Sequence, residues 1–276
     1  MKTIPFFKFH GAGNDFIMID NRNGYYRLDD NEVAYLCDRH AGVGADGLIF
    51  LETDPEVSFS MRYYNADGKE ATLCGNGSRC VVALANMLGE IGNNCVFRAS
   101  DGLHDASVYS HELNHWVIAL EMKDVKEVKV YDDGCFLDTG SPHFVVPVDD
   151  LEAYPVVAEG CRLRHDPRFS QGTNVDFVEE AEGDSIKVRT YERGVEDETL
   201  SCGTGVTAAA LAWTLQDNKG NQHYELPVLT RGGSFKVAFD KKANGYKFIS
   251  LVGPVVWSFS GTADIPDSVC SFSTIK

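Results

Sequence analysis

A chain of 276 residues is longer than one ordinary domain, which predicts two, and it can bury roughly three quarters of the surface it would expose unfolded. Its 43% hydrophobic and 24% charged residues fit a globular protein, and a net charge of −16 argues against nucleic acid and anionic membrane surfaces, which select basic patches. No apolar run approaches membrane-spanning length, and the start Met1-Lys2-Thr3-Ile4-Pro5-Phe6-Phe7-Lys8 turns polar too early for a signal peptide, so the expected location is cytoplasmic.

In chain order, Asp29-Asp30 predicts the cap of a helix carrying Val33, Leu36 and Cys37. Gly42-Val43-Gly44-Ala45-Asp46-Gly47 then matches G-x-G-x-x-G. It follows a helical segment and precedes the strand-like Leu48-Ile49-Phe50-Leu51, the reverse of a dinucleotide fingerprint, so a loop is expected. Residues 58–64 alternate as a strand, and residues 81–88 read as an apolar helix. His111-Glu112-Leu113-Asn114-His115 has the H-E-x-x-H pattern of zinc proteases, which must lie on a helix to aim both imidazoles at one metal. It sits between two hairpin-like strands, residues 106–109 and 116–119, so a turn is expected and no metal. Residues 186–191 form another alternating strand and residues 206–215 another apolar helix, and a soft domain boundary falls near Leu120.

Eight cysteines contain no C-x-x-C, so zinc ribbons and thioredoxin-like sites lack their spacing. Cys37, Cys80, Cys95, Cys135, Cys161 and Cys270 are expected as buried thiols packed like small hydrophobes. Cys74 and Cys202 differ, because each belongs to a repeated unit. A strand ending at Tyr64 leads through Asn65-Ala66-Asp67-Gly68 to Thr72-Leu73-Cys74-Gly75-Asn76-Gly77 and a helix. A strand ending at Tyr191 leads through Glu192-Arg193-Gly194 to Leu200-Ser201-Cys202-Gly203-Thr204-Gly205 and a helix. Tyr and Cys are ten residues apart in the first unit and eleven in the second, so the chain reads as two pseudo-symmetric α/β halves.

A single Cys-Gly-x-Gly before a helix reads equally well as a structural turn. Two matched copies imply chemistry. Glycines let the backbone approach a ligand, and the helix N-terminus offers N–H groups and positive dipole to a carboxylate and to a thiolate. Two such units facing one another across an interdomain cleft predict inversion at a stereocentre: one thiolate removes a proton from one face and the opposite thiol returns one to the other. No lysine stands in a recognisable pyridoxal-binding context, so no cofactor is expected and backbone dipoles must stabilise the developing carbanion.

Gly11-Ala12-Gly13-Asn14-Asp15-Phe16, Arg39-His40-Ala41-Gly42-Val43-Gly44-Ala45-Asp46-Gly47, Asn65-Ala66-Asp67-Gly68, Cys74-Gly75-Asn76-Gly77-Ser78-Arg79, Tyr191-Glu192-Arg193-Gly194 and Cys202-Gly203-Thr204-Gly205 together resemble the motifs of the diaminopimelate epimerase family. The resemblance runs in order from Gly11 to Gly253-Pro254. It implies interconversion of LL- and meso-2,6-diaminopimelate without cofactor, in lysine and cell-wall precursor synthesis, with Cys74 and Cys202 as base and acid. It also implies substrate contacts from Asn14, Asn65, Asn174, Gly75, Asn76, Gly203, Thr204, Glu192 and Arg193, with His143 and Glu192 assisting catalysis. Its fold is α/β of the α+β kind: two domains, each a curled mixed sheet or barrel around a central helix. The first is expected over residues 1–119, with 254–276 returning to it, and the second over 120–253. The expected partner is a small-molecule substrate, with a homodimer compatible, and neither nucleic acid nor membrane. Two positions depart from the family pattern: Gly47 stands where glutamine is frequent, and Ser141 where asparagine precedes Pro142-His143.

Other readings lead to different chemistry. A related two-cysteine racemase would act on proline, hydroxyproline or histidine, although Arg193 with Asn65 and Asn174 suits a substrate having a second polar end. A non-catalytic amino-acid-binding protein has no need of both thiols. A redox-sensing pair explains less of the surroundings, although Cys74 and Cys202 could oxidise to an inactivating disulfide.

Overall fold

The computed structural model describes residues 1–71, 74–217, 221–267 and 269. The chain divides into two compact units, residues 1–118 with 255–276, and residues 119–254. Cys270 and the Thr72-Leu73 part of the first cysteine motif lie outside the described residues.

The first unit opens with the strands β1 (Lys2–Gly11) and β2 (Asn14–Asp20), followed by helix α1 (Asp30–Cys37), β3 (Gly47–Glu52), β4 (Phe59–Asn65) and the short β5 (Glu70–Ala71). Helix α2 (Gly75–Met87) comes next, then β6 (Asn94–Ala99), β7 (Gly102–Glu112) and β8 (His115–Met122). The second unit adds β9 (Val128–Tyr131), β10 (Gly134–Asp138), β11 (Pro142–Pro147), α3 (Val156–Arg164), β12 (Asn174–Ala181), β13 (Ser185–Glu192), β14 (Asp197–Thr199), α4 (Gly203–Trp213), β15 (Gln222–Thr230) and β16 (Gly233–Lys242). The long β17 (Gly245–Ile265) carries the chain back into the first unit.

In the first unit β1 pairs with β2 and β17, β2 runs parallel to β3, and β3 pairs with β4. β4 runs parallel to β6, β6 pairs with β7, and β8 pairs with β17. Among the described residues these eight strands close a barrel. Its contents follow from α2: Val81, Val82, Ala83, Leu84 and Ala85 are all fully buried, so no face of the helix is left for water. A helix apolar on every side must lie inside its sheet, and α2 touches β1, β2, β3, β4 and β7. Leu84→Ala is expected to cost about 2–5 kcal/mol through lost contacts and a residual cavity, read as a lowered urea midpoint at unchanged slope.

The second unit repeats the plan. β11 runs parallel to β12, β12 pairs with β13, β13 runs parallel to β15, and β15, β16 and β17 follow antiparallel. Helix α4 touches β10, β11, β12, β13, β15 and β16, so the sheet curls around it. Val206, Ala208, Ala209, Ala210 and Leu211 are buried on every face. The mixed α/β architecture with a helix at the centre of each curled sheet is thus the observed one.

The α1 cap is a full capping box between Asp29 and Glu32. The G-x-G-x-x-G stretch is a loop between α1 and β3, with Gly44 at φ +80°. The H-E-x-x-H residues end β7 and start β8, with Leu113 in the turn at φ +55°, and strands cannot place the two imidazoles as a helix would. Cys37, Cys80, Cys95 and Cys135 are buried, but Cys161 is exposed, a correction to its expected burial. It lies on α3, whose inward residues are Val156, Gly160 and Leu163. No helix among the described residues is long and apolar enough to cross a membrane.

Candidate active site

Both cysteines occupy the residue immediately before a buried helix, and their backbones match: φ −123°, ψ 117° at Cys74 and φ −116°, ψ 114° at Cys202. Each begins its helix by accepting a backbone hydrogen bond, from Ser78 at 2.7 Å and from Val206 at 2.8 Å. The sequence repeat is therefore a repeat of geometry. It puts Gly75-Asn76 and Gly203-Thr204 into first helical turns, where backbone N–H groups serve an anion best.

In the first unit the structure brings together Asn14, Cys74 and Asn76. The Cys74 thiol lies 3.5 Å from Asn14 Oδ1, and Asn76 Nδ2 lies 3.4 Å from the same oxygen. Asn14 is fixed from behind by donating to Asp46 Oδ2 at 2.6 Å. Arg39 joins Asp46 to Asp15, with 2.7 Å to each, and the buried Lys8 sits 2.8 Å from Asp15 while bonding the Gly44 carbonyl. Burial pushes the Asp15 carboxyl up, but hydrogen bonds from Arg39 and Lys8 outweigh it and hold Asp15 well below the usual range. Arg79 is fully buried beneath the helix start, donating to Gly75 O at 3.2 Å and Asn76 Oδ1 at 2.5 Å. Desolvation pulls its guanidinium down to about 10.

Asn65 ends β4 opposite Gly47 in the ladder, exposed, with its oxygen accepting from the Tyr63 hydroxyl at 2.8 Å. The same tyrosine explains the departure at Gly47. A Cβ there would stand 2.7 Å from the Tyr63 ring and 2.5 Å from the Tyr64 carbonyl, so the ring fills the space of a side chain at 47.

In the second unit His143, Asn174, Arg193, Cys202 and Thr204 converge, with Glu192 next to Arg193 at the end of β13. Asn174 donates to Ser141 Oγ and Pro142 O, both at 3.0 Å, and its oxygen accepts from the Arg193 backbone N–H at 2.8 Å. Ser141, where the family pattern has asparagine, thus serves as an acceptor that holds the Asn174 amide. The Arg193 guanidinium reaches the Gln171 carbonyl at 3.3 Å. His143 is fully buried, with Nδ1 2.7 Å from Asp176 Oδ2 and Nε2 2.8 Å from Thr204 Oγ1, and Thr204 Oγ1 lies 3.3 Å from the Cys202 sulfur. Asp176, also fully buried, accepts from the Thr190 hydroxyl at 2.7 Å.

The electrostatics correct one expectation. A helix N-terminus should favour a thiolate, yet burial pushes the Cys202 thiol up, the Glu192 and Asp176 charges add to the rise, and Thr204 and the Gly205 N–H offset little of it. Desolvation wins over the dipole. Burial likewise pushes the Glu192 carboxyl up, against the pull of Thr199 and His143. Cys202 thus rests as a thiol, a proton donor, while Cys74 is half-buried. Sequence reasoning missed Asp176, Thr190 and the roles of Lys8, Asp15, Arg39 and Asp46. Asp46 and Arg39 stood inside a quoted motif, but nothing in the motif says what their side chains hold.

A sequence model of the family described as diaminopimelate epimerase matches residues 6–128 and 135–258. A diaminopimelate epimerase of Flavobacterium psychrophilum is 43% identical over 258 residues, 93% of this chain and 98% of its own. That of Aquifex aeolicus is 39% identical over 274 residues, 94% and 97% of the two chains. Among solved structures, a Bacillus anthracis phenazine biosynthesis protein of the PhzF family superposes with a TM-score of 0.76 at 16% identity, covering 96% of this chain and 100% of that one. A hydroxyproline epimerase from Agrobacterium vitis, with trans-4-hydroxy-L-proline bound, gives 0.63 at 14% identity, covering 94% and 92%. At these identities the structures speak for a shared fold.

Proposed function

Because the chain belongs to the diaminopimelate epimerase family, we propose that it interconverts LL- and meso-2,6-diaminopimelate without a cofactor, supplying lysine and peptidoglycan precursors. The observation that carries this reading is the matched pair of cysteines, each placed at the start of a buried helix with the same backbone geometry. One thiolate takes the α-proton, and the thiol on the other unit's helix delivers a proton to the opposite face of the same carbon. The first-turn N–H groups of both helices hold the α-carboxylate as negative charge develops on it. Asn14, Asn65, Asn174 and Arg193 would bind the substrate's amino-carboxylate ends, the guanidinium fork matching a carboxylate. Glu192 and His143 set the protonation of Cys202.

Incubation with LL-diaminopimelate in deuterated water, with a chelator present, should yield meso product bearing solvent deuterium at one α-carbon. Proline, trans-4-hydroxyproline, histidine and lysine assayed in parallel should show no exchange. Inversion of proline or hydroxyproline in place of diaminopimelate would move the assignment to the related racemases, and complete inertness would discard the epimerase reading.

A further inference from the structure

Behind Cys202 runs a chain of buried polar groups longer than proton transfer by the thiol alone requires, and its donors and acceptors can be assigned in order. An ionised Asp176 accepts hydrogen bonds and donates none. One of its oxygens takes the Thr190 hydroxyl at 2.7 Å, and the other lies 2.7 Å from His143 Nδ1. A neutral His143 facing that acceptor carries its proton on Nδ1 and presents a bare Nε2. Thr204, with one hydroxyl hydrogen, stands 2.8 Å from that Nε2 and 3.3 Å from the Cys202 sulfur. Its hydrogen goes to the imidazole, and its lone pair faces the thiol.

We propose that Asp176 and Thr204 together switch Cys202 between acid and base: Asp176 locks His143 in the Nδ1–H form, and the Thr204 hydroxyl turns from His143 to the sulfur when the thiol ionises. In the acid state S–H donates to Thr204, and Thr204 donates to His143. Once Cys202 has given up its proton, a rotation about one bond gives the thiolate a donor. The vacated Nε2 then accepts from Asn174 Nδ2, already 3.4 Å away, with the hydrogen that Asn174 otherwise gives to Ser141 Oγ. The charged or titratable groups of this unit that act on Cys202 are Glu192 on β13 and Asp176 on β12, with His143 on β11 reaching it through Thr204. Beside Cys74 one partner is Asn14 Oδ1, an acceptor whose amide is anchored by Asp46. Asp176 touches no reacting atom. It is a positioning residue.

The proposal rests on the acid–base reading of Cys202, but its tests need no turnover. Histidine ¹⁵N spectra of the wild-type protein, with His143 assigned by loss of its signals in His143→Gln, should show the Nδ1–H tautomer; an Nε2–H tautomer overturns the proposal whatever the variants do. Iodoacetamide labelling of Cys202, followed by peptide mass spectrometry across pH, reads the thiolate directly. Thr204→Val should slow labelling at pH 7 about tenfold by removing the thiolate's donor, and Thr204→Ser should restore it to within about twofold. Asp176→Asn frees the imidazole to present Nε2–H to Thr204, which then points its hydrogen at the sulfur, so labelling should accelerate about tenfold. In a Thr204→Val background that acceleration should largely vanish. An equal acceleration in both backgrounds would mean that Asp176 acts through space alone, and would overturn the switch.

Discussion

Replacing Cys74 or Cys202 with alanine is expected to lower the rate of inversion by at least about 10³-fold, the scale of a lost general acid or base, while leaving one half-reaction intact. Each variant keeps one thiol. On the proposed two-cysteine mechanism that thiol still faces the α-hydrogen of one stereoisomer, can remove it, and can return a solvent-derived proton to the same face. Cys74→Ala should therefore wash deuterium into one isomer without inverting it, and Cys202→Ala should do the same for the other. The expected record is a crossed pattern, with two variants, two isomers and exchange in opposite pairs. It also assigns each cysteine to its stereoisomer. Exchange of both isomers by a single variant would show that the remaining thiol serves both faces and would end the two-base mechanism. Far-UV circular dichroism should be unchanged for Cys74→Ala, since that side chain is half-buried before its helix.

The surroundings of the two cysteines differ, and the sequence could not show it. From the motifs alone the cysteines are equivalent, each with flanking glycine and a helix to follow. The difference lies in what the strands carry behind them. Around Cys202 these are carboxylates from β12 and β13; beneath α2 it is the buried guanidinium of Arg79. Residues 176 and 202 are brought together by sheet curvature, which no local pattern records. The local pattern was legible where period and capping determine structure. The strand read at 58–64 is β4, that at 186–191 is β13, and the Asp29 cap starts α1. Helix α2 begins at Gly75, six residues before the apolar run at 81 that announced it, because glycine and polar residues of low helix propensity are held there by the barrel. Helix α3 gave no signal: Pro155 precedes it without a side-chain cap, and Val156-Val157 and Gly160 weaken its propensity. Cys161 was misjudged for the same reason. Without the helix, its outward face could not be known.

Gly205→Ala tests how tightly that curvature is built, because its twin supplies the control. Gly77 and Gly205 both stand three residues after their cysteines. Alanine in a helix is ordinarily better than glycine by about 1 kcal/mol, so without tertiary contact both substitutions should stabilise. At Gly77 the added Cβ would meet the Cδ1 of Ile49 at 2.7 Å, the far end of an apolar side chain that no hydrogen bond holds and that a change of rotamer can withdraw. At Gly205 it would stand 2.3 Å from Asp176 Oδ1 and 3.2 Å from His143 Cε1. Asp176 has no room to yield, being fully buried and held by Thr190 and His143. The start of α4 must instead move away, stretching the 2.8 Å contact between Thr204 and His143 and displacing Cys202 with it. Overpacking and a weakened buried hydrogen bond together should cost roughly 2–4 kcal/mol for Gly205→Ala, against less than about 1 kcal/mol for Gly77→Ala, measured as urea unfolding free energies. Turnover by Gly205→Ala should fall at least about 100-fold, since displacement of a reacting group by as little as 1 Å has that effect. Equal stability changes in the two variants would show that Asp176 can move aside, and that the closeness of α4 to His143 is not what places Cys202.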